Sequence, residues 1–530
     1  MAVSTPILGL AVLAYMMVVF YLGWVGYKQT KDNDDYMLAG RKVNPFVLAF
    51  SYGAAFISTS AIIGFGGYAG AFGLGILWLV FMNIFVGIFI AFVVFGSRTR
   101  RMGVNLKAVT FPELIGRRFQ SRFIQGFSGA LITIFMPLYA GSVLIGGARF
   151  METALNIDYN IAILILAIIV AAYVITGGLI AVMYTDALQG ALMFVGMAIL
   201  LIITYSKLGG VTEAHQALTN MAYLVPDNFA AIGHTGWTTM PAFGSPTWWT
   251  LVSTIILGVG IGVLAQPQLA VRFMTVKNTR SLKRAVLSGG PFIFMMAGVA
   301  YIVGALSNVY FFNTQGMISL EVAGGNIDKI MPEYINSAMP DYFVVFFLLT
   351  LLAAAMSTLS SQFHAMGTAF GHDFYRQGIM NGKIGKTITV TRVGIAVTIF
   401  ISVILAYILP PGIIARATAI FFGLCAAAFL PMYSGAIFWK RMTRQGATAS
   451  LIIGTFASLF WLTFIHAKEA TALGICQAIF GQATLLTGTW TLVDPILVAT
   501  PLSFLVAIVV SLMTEPMAKE HVEKCFKQNE

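Results

Sequence analysis

Hydrophobic positions fall into thirteen long runs separated by short polar connections, near residues 6–26, 45–73, 74–96, 123–148, 159–176, 183–206, 248–268, 289–312, 343–370, 389–409, 413–438, 447–465 and 492–513. About 20 apolar residues suffice for a helix to cross the hydrocarbon core, so the pattern predicts an all-α integral membrane protein with about thirteen transmembrane helices, spans 1–13. Two runs break the pattern. Span 2 contains SYGAAFISTSAIIGFGGYAGAFG (Ser51 to Gly73), with six glycines around Ser58, Thr59 and Ser60. Span 7 contains LGVGIGVLAQPQ (Leu257 to Gln268), with Gly258, Gly260, Gly262 and Pro267. Backbone polar groups must be satisfied inside a membrane unless they line a cavity. Such segments therefore predict interrupted helices whose free carbonyls and amides face an ion or solute, and a pair of them in corresponding positions points to a transport site.

Composition agrees. Hydrophobic residues make up 58% of the 530 positions, charged residues only 10%, and the mean hydropathy is +0.86, where a soluble domain carries about 25% charge. The net charge of +11 follows from an asymmetry between loops. Of the 31 Lys and Arg, 26 fall on one side of the thirteen spans and 5 on the other, while the acids divide evenly. The positive-inside rule makes the basic side cytoplasmic, with the N-terminus outside and the C-terminus inside the plasma (inner) membrane. The charge is thus a topology signal. It does not predict nucleic-acid binding, and the lipid bilayer is the surface it addresses. The first run is read as a retained span, since no cleavage site follows it. Cys425, Cys476 and Cys525 are scattered, with neither metal spacing nor a disulfide framework. No obligatory protein partner is evident.

Spans 2–6 run in the opposite sense to spans 7–11, and each block begins with its interrupted member, the arrangement of an inverted repeat. The predicted organisation is 1–44, first span and inner loop; 45–206, first five-span repeat; 207–247, external loop; 248–438, second repeat; 439–513, two accessory spans; 514–530, a tail too short for a domain. The external segments 207–247, 313–342 and 466–494 carry Gly, Pro, Asn and Trp and predict short helices over the outer mouth.

Candidate chemistry is sparse. In span 9, LLAAAMSTLSSQFHAMG places Ala354, Ser357 and Thr358 at i, i+3 and i+4, on one helical face. That gathers a carbonyl and two hydroxyls, hard oxygens suited to a small cation. Ser and Thr hydroxyls in helices also bond back to carbonyls of the preceding turn, but here the pair stands beside Ser360 and Ser361 in a chain with broken spans. A break in span 2 would add the carbonyls of Ala54 and Ile57, giving five neutral oxygens around Na⁺ without a costly buried carboxylate. In TGGLIAVMYTDALQG, Gly177 and Gly178 end span 5, and Asp186 with Gln189 opens span 6. Asp186 is either a first-turn acid favoured by the helix dipole or a group behind the sodium ligands on the ion path. No Asp/Glu/His chain runs through the spans, which argues against a proton relay, and His364 reads as structural.

The motifs DDYMLAGRKV, ISTSAIIG, GGARFMET, TGGLIAVMYTDALQ, AQPQLAVRFM, LAAAMSTLSSQ and AIFWKRMTRQGATASLIIG occur in this order over nearly the whole chain and resemble the sodium/solute symporter family, nearest its sodium/pantothenate and sodium/proline branch. The resemblance implies a five-plus-five (LeuT-type) fold with discontinuous helices. It also implies a sodium site of Ala54, Ile57, Ala354, Ser357 and Thr358, the residues reached above from periodicity. Solute would lie among Phe56, Ser58, Thr59 and Ser60 of span 2, Tyr139 of span 4, Val259, Val263 and Gln266 of span 7, and Phe421 and Phe422 of span 11. Proline-type members carry an aspartate where Phe56 stands and aromatics where Val259 and Val263 stand, while sugar-type members carry Glu and Gln at Ser60 and Ala61. These departures favour a small monocarboxylate, such as pantothenate or a short-chain organic acid, with proline or another neutral amino acid as the alternative. The expectation is a sodium-coupled symporter working by alternating access. A channel would need a continuous polar stripe or a charged ring, an enzyme a buried catalytic constellation, and the spans carry neither.

Overall fold

A computed structural model describes residues 5–380, 382 and 387–527. Among these, every regular element is helical, and one isolated bridge joins Val43 to Val276. Ten helices are long and apolar enough to cross a membrane, or twelve when two bent pairs each count as a span. The longest, Tyr159–Lys207, has 49 residues and would extend about 73 Å at 1.5 Å per residue, more than twice the hydrocarbon thickness. It is two spans folded at Gly178, whose φ is +59°. A side chain at Gly178 would also meet the Tyr36 ring at 2.6 Å, so glycine is required twice over. These limbs are the predicted spans 5 and 6.

Span 2 is broken as expected. Helix Pro45–Phe56 ends at Ile57, whose φ −90° and ψ 106° are extended, and the chain winds again over Ser60–Phe72 at an angle of 53°. The glycines serve a different end from the one predicted. The break at Ile57 to Thr59 contains none of them; Gly53 lies on the first limb, the other five lie on the second limb or at its end, and they admit close neighbours. A Cβ at Gly67 would stand 2.2 Å from the Ile327 carbonyl oxygen, and one at Gly304 of span 8 would stand 2.0 Å from the Gly66 carbonyl oxygen. Span 7 (Pro246–Ala265) stops at Gln266, which is extended, and resumes as Pro267–Ala270. Span 11 is also bent, by 44° between Ile414–Ala428 and Leu430–Phe438. The sequence reading singled out no break there; Pro431 in the first turn of the second limb lacks the N–H that would bond back across the bend.

Burial sorts the spans. In spans 8 and 9, 83% of the most apolar window is inside the protein, against 28% for span 1 and 33% for spans 10 and 13. The former form the core and the latter present apolar side chains outward. The segments 207–247, 313–342 and 466–494 contain short helices, including Val211–Asn220, Ile330–Ala338 and Ala467–Leu473. The lid formed by Ile327–Ala338 seats Met331 and Ile330 against Gly66 and Gly70 of span 2. Its Asp328 carboxylate accepts the Gly412 N–H at the mouth of span 11, at 2.8 Å.

Candidate functional site

The break in span 2 faces the middle of span 9, which is helical without interruption from Asp341 to Thr368. The Ala54 carbonyl oxygen lies where the inner limb of span 2 is running out. It accepts from the Ser357 hydroxyl at 3.0 Å and from the Thr358 hydroxyl at 3.2 Å. Ser357 Oγ is also 3.3 Å from the Ala354 carbonyl oxygen. Four of the five predicted ligands thus form one cluster, wholly buried, and Ile57, three residues beyond Ala54, occupies the break itself. Ca²⁺, an ion of similar radius, takes its oxygens at about 2.3–2.6 Å, which places neighbouring oxygens about 3 Å or somewhat more apart. The cluster has that spacing already. Both hydroxyls donate to Ala54; turned away from it, they would present, with the two carbonyls, four lone-pair oxygens to a cation.

Asp186 is not a cap. It is fully buried on span 6 and paired with Arg272, whose Nη2 is 2.9 Å from Asp186 Oδ2. Three hydroxyls converge on the same carboxylate: Ser51 at 3.1 Å, Ser360 at 3.1 Å and Ser361 at 3.2 Å. Arg272 also donates to Ser51, Ser361 and the Gln268 carbonyl. Ser357 joins the two clusters, since its carbonyl accepts from Ser360 and Ser361. The sequence reading counted Arg272 only among the basic residues of the cytoplasmic side. The chain instead turns inward at the short helix Pro267–Ala270 and buries it. Its position in the apolar stretch Leu269 to Met274 was the available signal. Removing one partner from such a pair costs about 3–5 kcal/mol, because a charge is left uncompensated in low dielectric. On the basic-rich side, Arg272, Ser361, His364, Gln268 and Thr368 line a small cavity of about 20 Å³. His364 Nε2 donates to the Tyr36 carbonyl oxygen at 3.0 Å, in keeping with a structural role.

On the outer side of the break, Ser58, Thr59 and Ser60 are buried. The Tyr139 hydroxyl is 3.5 Å from Ser58 Oγ, and its ring packs on Phe421 and Phe422 at centroid distances of 6.1 and 5.3 Å. Thr59 donates to the Val143 carbonyl at 2.9 Å, so it serves the contact with span 4. Ser60, Ser142 and Thr418 form a hydroxyl chain with steps of 3.1 Å that ties spans 2, 4 and 11; neither Ser142 nor Thr418 was singled out by sequence. Phe56 and Val263 pack together over Gly87, and Val259 is buried nearby in span 7. Gln266, extended at the span 7 break, bonds to the Gly262 carbonyl and to Gln268. The surroundings of the break are therefore hydroxyls, aromatic rings and aliphatic groups. The Asp186 carboxylate near it is engaged by Arg272.

Comparison with known proteins identifies the family. The model of the sodium:solute symporter family matches residues 36–454. The osmoregulated proline transporter OpuE of Bacillus subtilis (strain 168) is 28% identical over 510 residues, covering 95% of this chain and 94% of its own. The sodium/proline symporter of Escherichia coli (strain K12) is 27% identical over 473 residues, covering 88% and 89%. Among solved structures, a Na⁺-coupled sialic acid symporter in a substrate-bound outward-open state superposes with a TM-score of 0.74 at 18% identity, over 97% of this chain and 99% of that one.

Proposed function

Because the chain belongs to the sodium:solute symporter family, and is therefore a sodium-coupled transporter and not an enzyme, we propose that its solute is a small neutral amino acid of the proline type, imported by alternating access. The fold is the five-plus-five inverted repeat and Na⁺ is the coupling ion. The observation that carries the solute assignment is the match to proline transporters along nearly the whole chain. It reverses the order of preference drawn from the sequence alone, where a monocarboxylate came first.

In this reading, Na⁺ binds among Ala54, Ile57, Ala354, Ser357 and Thr358. Neutral oxygens suit it, because a single charge needs no buried carboxylate to offset it. The solute lies on the outer side of the same break. Its carboxylate meets the amides and hydroxyls where span 2 winds again at Ser58 to Ser60, at the positive end of a helix dipole. Its ammonium meets the Tyr139 hydroxyl and ring face, a weak but sufficient partner for a cation out of water. Its aliphatic ring packs on Val259, Val263, Phe421 and Phe422. Sodium and solute thus share one hinge of backbone, which couples them: Na⁺ draws the Ala54 limb toward span 9 and sets the Ser58–Ser60 amides. Inward release requires the packing beside Arg272 and His364 to open toward the side carrying 26 of the 31 basic residues, taken as the cytoplasm. One charge falling through 100 mV supplies about 2.3 kcal/mol.

A monocarboxylate stays as the second reading on one local observation: Phe56 leaves no acid at that position, and the buried Asp186 is paired with Arg272. Uptake into proteoliposomes under an inward Na⁺ gradient separates the two. Labelled proline should accumulate with sodium and be displaced by excess unlabelled proline but not by lactate, acetate or pantothenate. Sodium-driven accumulation of pantothenate or lactate, without proline uptake, overturns the assignment.

A further inference from the structure

Residues 470–493, between spans 12 and 13, contain no Asp, Glu, Lys or Arg. The other two segments on the side opposite the basic loops do carry charge: Lys207, Glu213 and Asp227 in 207–247, and Glu321, Asp328, Lys329, Glu333 and Asp341 in 313–342. The uncharged segment comprises the end of helix Ala467–Leu473, the helix Ile475–Phe480 and turns leading to Gly488–Thr491. Leu473, Ile475, Ile479, Phe480, Leu486 and Trp490 are all exposed on it, Ile479 by 62% and Trp490 by 55%. Single exposed apolar residues are ordinary; six on one short uncharged segment are not. The set is continuous with span 12. Phe456 and Phe460 are exposed on that span, and ring contacts of 5.1 Å (Phe460 to Phe464) and 5.9 Å (Phe464 to Phe480) lead from it onto the segment. Trp461 meets Trp490 at 6.0 Å. Two bonds fasten the base: the Leu485 N–H donates to the Phe464 carbonyl at 2.8 Å, and the Trp461 indole N–H to the Val493 carbonyl at 2.8 Å.

We propose that residues 470–493 are seated in the headgroup interface of the bilayer, on the side opposite the basic loops. Continuity with a lipid-facing helix names the occupant: a ladder of rings that begins on span 12 in hydrocarbon runs onto the segment without a polar gap. The depth follows from the backbone. Residues 481–487 belong to no helix, which the hydrocarbon centre does not tolerate and the headgroup layer does. Interfacial segments sink their apolar side chains by about 5–10 Å, and tryptophan is enriched at that level. The exposed polar groups Gln477, Gln482, Thr487 and Thr489 are neutral and can bond to headgroups of any charge. The charged residues that bound the segment are engaged with protein. Lys468 donates to the Thr250 hydroxyl of span 7 at 3.2 Å, Glu469 pairs with Arg416 of span 11, and the Asp494 carboxylate accepts the Ile496 N–H at 3.0 Å. The seated segment thus ties the adjoining ends of spans 7 and 11 to the bilayer surface.

The test is depth-resolved spin labelling of the full-length protein in phosphatidylcholine nanodiscs. Cys425, Cys476 and Cys525 are buried, so the parent protein serves as the labelling blank. Ile479→Cys and, independently, Trp490→Cys carry the label on the segment. Phe460→Cys reports the lipid-facing end of span 12, and Asp227→Cys, exposed in the charged segment 207–247, reports water. Sodium-induced thermal stabilisation checks folding in every case. The ratio of collision with oxygen to collision with a nickel chelate should be several-fold higher at 479 and 490 than at 227, and should approach that at 460. A ratio at 479 and 490 equal to that at 227 puts the segment in water and overturns the proposal. Shielding of both labels from both reagents overturns it as well, since it would place the segment against a second copy of the protein.

Discussion

Replacing Ser357 by alanine removes one hydroxyl from the cluster at the span 2 break, and the geometry sets the size of the effect. Without sodium, Ser357 Oγ donates to Ala54 at 3.0 Å and lies 3.3 Å from the Ala354 oxygen. That neutral hydrogen bond is worth about 0.5–1.5 kcal/mol. With sodium bound, the same oxygen contacts a charge, worth about 1.5–3 kcal/mol. The alanine variant loses both, so the change in sodium affinity is the difference, roughly 1–2 kcal/mol. At 1.4 kcal/mol per decade, the sodium concentration for half-maximal uptake should rise about five- to thirtyfold. Thr358→Val should act similarly and Thr358→Ser, which keeps the hydroxyl, should stay within about twofold. The assay is initial solute uptake into proteoliposomes over a sodium series at fixed solute, with thermal stability in sodium-free buffer to report folding. A folded Ser357→Ala protein whose half-maximal sodium lies within twofold of wild type would refute the assignment, since no other route leaves a missing ligand without cost.

Arg272→Gln should abolish transport and destabilise the fold by about 3–5 kcal/mol; adding Asp186→Asn should recover part of the stability, measured as Tm, because the uncompensated charge is then gone. Gly304→Ala forces a methyl to within 2.0 Å of the Gly66 carbonyl oxygen and should lower Tm, with an overpacking cost of about 1–3 kcal/mol; an unchanged Tm would mean that spans 2 and 8 are less closely packed. The outer lid should respond to pH. Burial pushes the Asp328 carboxyl up to about 6, against the Gly412 N–H and the Arg149 charge, which pull it down. A carboxyl raised in the seated lid binds its proton more tightly there than when hydrated, so the seated form loses stability as pH rises from about 4 through 6 and gains it on acidification. The span is at most about 3 kcal/mol at 1.36 kcal/mol per unit. Accessibility of a cysteine placed beneath the lid should fall as external pH drops from 7 to 5, and Asp328→Asn should remove that dependence.

Span number, the charge asymmetry between loops and the clustering of oxygens at the span 2 break were legible in the chain because each rests on a local rule. Twenty apolar residues make a crossing, basic residues mark a side, and a three-and-four spacing puts Ala354, Ser357 and Thr358 on one face whatever surrounds them. Ala54 could be paired with them from sequence because an unwound segment must offer its carbonyls to something. What the chain alone did not reveal is set by contacts between distant segments. The glycines of span 2 read as the break, yet their place is decided by Ile327, Gly304 and Ile414, brought against them from more than two hundred residues away. Arg272 reads as one more loop cation until the turn at Pro267 carries it to Asp186, 86 positions earlier, in a medium where neither charge can stand alone. Periodicity and composition fix which residues can share a helix face or a side of the bilayer; only the packing of one helix on another decides which charges and hydroxyls are dry enough for their pairing to matter.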